Sequence, residues 1–174
     1  MFVELAALND EIEEIRRSPS DHGSLELVVC RPAAAEREVL EEGVLDCSRG
    51  LLGDRWATEN RDPRSMLTLM NCRSADAVAG TRERWPLAGD QLFVDLDLSY
   101  ANLPPGTRLS IGSAVIEVTD IPHRGCGKFI RRFGIDASRF VNSEVGRELN
   151  LRGINARVVS AGVVRPGDAI AKLA

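Results

Sequence analysis

The residues best suited to chemistry lie between positions 119 and 133, in the run Thr-Asp-Ile-Pro-His-Arg-Gly-Cys-Gly-Lys-Phe-Ile-Arg-Arg-Phe. Cys126 stands between two glycines, with His123 before it and Lys128, Arg131 and Arg132 after it. Flanking glycines leave the sulfur little steric cover and free the backbone for unusual angles. Nearby positive charge favours thiolate over thiol, and a thiolate binds soft metals or attacks electrophiles. The alternative is an inert buried thiol, the commoner state of a free cysteine. Residues 121–160 carry eight basic and three acidic side chains, an excess of +5 inside a chain of net charge −4. A basic region beside a thiolate suits a small anionic ligand such as a phosphate-bearing cofactor. A second loop, Gly50-Leu-Leu-Gly-Asp-Arg55, could bring backbone amides and a guanidinium to an anion. It also reads as an ordinary turn with a local Asp54–Arg55 contact.

The elements around these loops are mostly extended. Residues 24–30, 43–47, 64–70, 91–95, 107–111, 114–119, 154–160 and 169–173 read as strands, with Leu96–Leu98 as an extension of one and a hairpin at Gly112-Ser113. Residues 2–17 read as an amphipathic helix, either packed on the body or making a homodimer contact. Residues 33–42 are helix-compatible, and 75–84 form a helix capped by Asn71 or Ser74. After Cys126 come a short helix broken by Gly134, one starting near Asp136 and one capped by Ser143. Cys126 thus falls on a loop just past the strand at 114–119. The pattern is mostly β with flanking α, a barrel or roll with short helices packed outside. Length and composition fit one soluble domain over 1–174, with an N-terminal helix in 1–20 and a core at 24–174. The acidic net charge argues against nucleic acid as a partner, and no apolar run is long enough to span a bilayer. Four cysteines without zinc-type spacing, and no visible secretory signal, lead us to expect free thiols in a cytoplasmic protein.

Taken in order, several pieces resemble the MOSC domain, named for the C-terminal part of molybdenum cofactor sulfurase. They are Gly50-Leu-Leu-Gly-Asp-Arg55, Met66–Met70, Gly89-Asp-Gln-Leu-Phe93, Leu103-Pro-Pro-Gly106 and Leu109–Gly112 with Ala114–Val118. Pro122-His-Arg-Gly-Cys126, Arg152-Gly-Ile-Asn-Ala-Arg157 and Val164-Arg-Pro-Gly-Asp168 complete the set. One departure stands out: Trp56 occupies a place where the family often has histidine. The resemblance implies a β-barrel like that of a pyruvate kinase domain, and a molybdenum cofactor (molybdopterin) whose metal is ligated by Cys126. It implies contacts to the cofactor phosphate and pterin from Arg55, Lys128, Arg152 and Arg157, and to the pterin edge from Asn71 and Asn155. His123 would orient the reacting oxygen or move a proton, its ordinary pKa lying near working pH. The activity implied is an oxidoreductase that reduces N-oxygenated small molecules, with electrons from a donor protein. A sulfur carrier or sulfurtransferase stays open beside it, with a persulfide on Cys126 and a sulfur donor or acceptor protein as partner. So does a module that binds the cofactor without chemistry of its own.

Overall fold

In the computed structural model, residues 1–59 and 61–174 are described. Among the described residues eleven strands form: β1 (Gly23–Cys30), β2 (Glu38–Leu40), β3 (Gly43–Asp46), β4 (Gly50–Leu51), β5 (Leu67–Asn71), β6 (Leu92–Asp95), β7 (Arg108–Ile111), β8 (Ala114–Val118), β9 (Ile154–Ser160), β10 (Gly162–Val164) and β11 (Ala169–Lys172). Seven close a barrel in the order β1-β11-β7-β8-β9-β5-β6, with β6 returning to β1. Within it only β5 and β6 run parallel. Strand β2 pairs antiparallel with the end of β1, and β10, β3 and β4 make a small second sheet. Closure removes the free edges that an open sheet would expose.

Alternation along the strands assigns two cores. Val28, Leu69, Leu92, Val94, Ile116 and Ala156 belong to the barrel interior. Their neighbours Val29, Met70 and Phe93 belong to a second core, shared with Phe129, Phe133 and Phe140 of the helical layer. Successive strand residues face opposite sides, so β5 is buried along its whole length. That layer comprises α1 (Leu5–Asp10), α2 (Ile12–Arg16), α3 (Cys72–Ala79), α4 (Gly127–Asn142) and α5 (Glu144–Glu148). Gly134, at φ 90°, interrupts α4. A Cβ there would lie 2.9 Å from the ring of Phe2, so the glycine also seats the N-terminal segment.

Several local expectations change. The helix over 2–17 is interrupted at Glu11. Residues 38–40 within the helix-compatible stretch are a strand, because three backbone positions pair with β1 and tertiary pairing overrides a weak local preference. The helix read over 75–84 begins at Cys72 and ends at Gly80, whose φ of 77° suits glycine. A 3-10 helix follows over Arg82–Ala88. Residues 96–98 do not extend β6, whose strand ends at Asp95. Ser143 caps α5, accepting from Gly146 N–H at 2.9 Å.

Candidate functional site

The Cys126 pocket forms where the loops after β1, before β6 and before β9 meet the start of α4. Strand β8 ends at Val118, and the chain then runs without regular structure to Cys126. Asn142 clamps this loop from two directions: Gly125 N–H donates to its Oδ1 at 3.1 Å, and its Nδ2 donates to Gly125 O at 3.2 Å. The two flanking glycines do different work. A Cβ on Gly125 would come within 3.0 Å of Val141, whereas one on Gly127 would meet only Arg131 at 3.8 Å. Gly125 therefore permits close packing, and Gly127 leaves the sulfur open. Cys126 is the N-cap of α4 and is exposed. Its partial burial pushes the thiol pKa up. The backbone N–H groups of Phe129 and Lys128, with the charges of Arg152 and Lys128, outweigh that and hold it below the ordinary value of 9.0.

Around the sulfur lies a pocket of about 130 Å³ that six cations line: Arg31, Arg37, Arg55, Lys128, Arg132 and Arg152. Their common anchor is the main chain at 86–89, the end of the 3-10 helix. Arg37 donates to Pro86 O (3.1 Å), Arg132 to Leu87 O (2.7 Å), Arg152 to Ala88 O (2.9 Å) and Arg31 to Gly89 O (3.0 Å). Four successive carbonyls thus each hold a different arginine, at the helix end where partial negative charge gathers. Gly89 allows the turn with φ 91°, and a Cβ there would sit 3.4 Å from Arg37 Nη2. Burial first, and then repulsion from Arg132, Arg31 and Arg55, lowers the Arg37 pKa to about 10. It stays charged at neutral pH, in a crowd of like charges that an anion would relieve.

Two buried carboxylates support this cluster. Asp54 accepts from Arg31 Nε and Nη2, both at 2.8 Å, from Arg31 N–H at 3.0 Å and from Trp56 N–H at 3.0 Å. The local Asp54–Arg55 contact is therefore replaced by a fork to a residue 23 positions away, and Arg55 faces Glu59 at 3.5 Å. Asp90, fully buried, accepts from Arg152 Nη1 at 2.7 Å and lies 3.5 Å from His123 Nδ1. Asp90 Oδ1, His123 Nδ1 and Arg152 Nε are buried without a hydrogen-bond partner among the described residues. The first two face each other at 3.5 Å. Burial, reinforced by Arg152, lowers the His123 pKa to about 3. The ordinary value of 6.5 near working pH is thus not kept in the fold, because a second cation beside Arg152 is unfavourable where solvent is largely removed.

Cys126, His123, Arg55, Lys128 and Arg152 come together in this pocket. Asn71, Asn155 and Arg157 lie elsewhere. Asn71 caps α3 through its oxygen, and its amide donates to Ser18 Oγ and Leu96 O, which uses up its polar groups. Asn155 donates to Ile121 O at 2.9 Å and so pins the loop that carries His123. Arg157 pairs on the surface with Glu117 at 2.7 Å. Trp56 is buried in the barrel core, with its indole N–H unpartnered. Sequence reasoning missed Arg31, Arg37, Arg132 and Asp90. Asp90 lies in the Gly89–Phe93 motif, and the sequence marks Arg132 only as charge near the thiol. Arg31 and Arg37 carried no local signal.

The donor set fits an anionic, metal-bearing cofactor: one exposed thiol shifted toward thiolate, a ring of cations, and a buried guanidinium N–H without a partner. At about 130 Å³ the pocket is smaller than the roughly 300–1,000 Å³ that encloses a drug-sized molecule. It would take an anionic group, with any larger organic body across its mouth. Among the described residues no three His, Cys, Asp or Glu side chains gather as a metal cage.

Residues 64–171 match the MOSC domain family. Among solved structures the chain is similar to YuaD from Bacillus subtilis, with TM-score 0.62 and 18% identity over 85% of this chain and 93% of that one. It is also similar to YiiM from Escherichia coli, with TM-score 0.57 and 19% identity over 87% of this chain and 70% of that one. YiiM from Geobacillus stearothermophilus gives TM-score 0.56 and 13% identity over 89% and 74% of the two chains. At these identities the likeness shows the fold. No curated protein sequence matches. The barrel, the ordered motifs and the match across well over half the chain agree, and the chain belongs to the MOSC domain family.

Proposed function

We propose that the protein binds a molybdenum cofactor through Cys126 and reduces N-oxygenated small molecules. The observation that carries this reading is the joining of an exposed, thiolate-biased cysteine to a ring of six cations in one pocket. The family's association with molybdenum-cofactor binding supports it. Cys126 would ligate the metal as a soft donor. Arg55, Lys128 and Arg152, with Arg37 and Arg132, would hold the phosphate by charge-assisted hydrogen bonds. Bound there, the cofactor would supply the redox metal centre at which oxygen is removed from nitrogen. The chain's own part is binding and orientation. Neutral His123, whose Nδ1 lies 3.5 Å from Asp90, would offer a hydrogen bond that orients a bound oxygen. Removing the oxygen as water takes a pair of electrons and a pair of protons, and the electrons would come from a donor protein.

The test is elemental analysis for molybdenum with pterin fluorescence, on wild type and Cys126→Ser purified from a cofactor-competent host. Near-stoichiometric molybdenum in wild type that is lost in a folded Cys126→Ser is the expected result. Molybdenum absent from both, with a persulfide on wild-type Cys126, would replace this reading with a sulfur carrier. Equal molybdenum in both would remove Cys126 as the ligand.

A further inference from the structure

A second and larger cavity, about 240 Å³, is lined by the loop at 119–124, and His123 lines both cavities. Its floor is apolar, from Leu103, Val118, Ile121, Val141 and Ile154. Its cations are Arg124 and Arg147, neither of which has a carboxylate within 4.0 Å among the described residues. The one acid in its lining, Asp120, is paired with Arg64 at 3.0 Å. Tyr100 presents a 63% exposed ring beside it. The wall is held in place beforehand. Thr119 N–H donates to Asn155 O at 3.0 Å, Thr119 Oγ1 to Arg64 O at 2.6 Å and Asn155 Nδ2 to Ile121 O at 2.9 Å. A concave apolar floor with a few convergent charged groups is the usual form of a small-molecule site.

We propose that this cavity binds a small aromatic carboxylate, its ring on the apolar floor beside Tyr100 and its anion against Arg124 and Arg147. A cavity of roughly 150 Å³ already admits benzene, so about 240 Å³ leaves space for the ring and its carboxylate. The site shares only His123 with the lining of the Cys126 pocket and does not depend on a cofactor there. The probe is benzoate, titrated into the intact protein carrying labelled Ile, Leu and Val methyl groups and followed by NMR. Benzoate should shift the Ile121, Ile154, Val118 and Val141 methyls with Kd about 1 mM, a magnitude suited to so small a ligand. Benzyl alcohol should bind at least tenfold more weakly, as should benzoate to the Arg124→Gln, Arg147→Gln double variant. Both substitutions are on exposed side chains, and the methyl spectrum without ligand reports that the variant is folded. The proposal is overturned if these methyls do not move up to about ten times that Kd. It is also overturned if benzyl alcohol binds as well as benzoate or if the double variant keeps its affinity.

Discussion

Replacing Asp54 with alanine strikes the support of the cationic pocket without touching its mouth. Asp54 and Arg31 are 4% and 9% exposed, and the carboxylate accepts four hydrogen bonds, three of them from Arg31. Removing one member of a buried pair leaves the other charge uncompensated, at about 3–5 kcal/mol. We take about 4 kcal/mol, a large part of the 5–15 kcal/mol that typically holds a domain folded. Burial pushes the Asp54 carboxyl up, but the Arg31 fork outweighs it and holds the pKa below the usual 3.8. A depressed carboxylate pKa gives stability that is present above the unfolded pKa and lost as pH falls through the folded one. The full effect is therefore present at pH 7. The assay is urea unfolding at pH 7. With m near 2 kcal/mol/M, the midpoint should fall by about 2 M with m unchanged. Replacing both partners, Arg31→Met with Asp54→Leu, should recover more than half of the loss, because no charge is then stranded. Anion affinity of the pocket should still drop in that variant. A loss below about 1 kcal/mol for Asp54→Ala would mean that the pair behaves like an exposed one, and the reasoning would fail.

Thiol reactivity should follow environment: in native protein at pH 7, iodoacetamide followed by mass spectrometry should find Cys126 modified well before Cys30 and Cys72. Burial raises both of those thiols, Cys72 to about 12, so native labelling of Cys72 ahead of Cys126 would contradict this. For His123, whose folded pKa is lowered from 6.5 to about 3, the unfolded chain takes up a proton first as pH falls. That part of the stability is complete above pH 6.5 and shrinks below it, by about 2 kcal/mol at pH 5. Wild type minus His123→Gln, measured by denaturation from pH 7 to 5, should show this slope, and parallel curves would refute it. Gly153→Ala should destabilise by more than 2 kcal/mol on the scale of overpacking and strain, since φ is 108° and its Cβ would lie 2.2 Å from Leu69 O. A thermal melt unchanged from wild type would show that the backbone there can yield.

The alternating strands, the Gly112 hairpin, the Gly134 break, the Ser143 cap and the Cys126 loop were legible from residue types alone, because each rests on local rules of spacing and turn chemistry. Local rules also predicted a charge-rich surround for the thiol. They could not say which cations would reach it. Arg157 looked as suitable as Arg152, yet one pairs with Glu117 on the surface and the other with buried Asp90 beneath the pocket. Asn71 looked like a ligand reader, and its cap and two amide donations occupy it instead.

By itself the sequence determined a β-rich chain with one glycine-flanked thiol in basic surroundings, since composition, periodicity and turn residues act over a few positions. Tertiary structure alone decided which distant residues meet. Barrel closure through β1 and β11, and the run of carbonyls at 86–89, gather Arg31, Arg37, Arg132 and Arg152 from separate parts of the chain. The same packing leaves the His123 side chain only 18% exposed and lowers its pKa, a shift that its sequence neighbours do not encode. The reason is that hydrogen bonds and desolvation depend on position in space, and strand register and helix packing set that position.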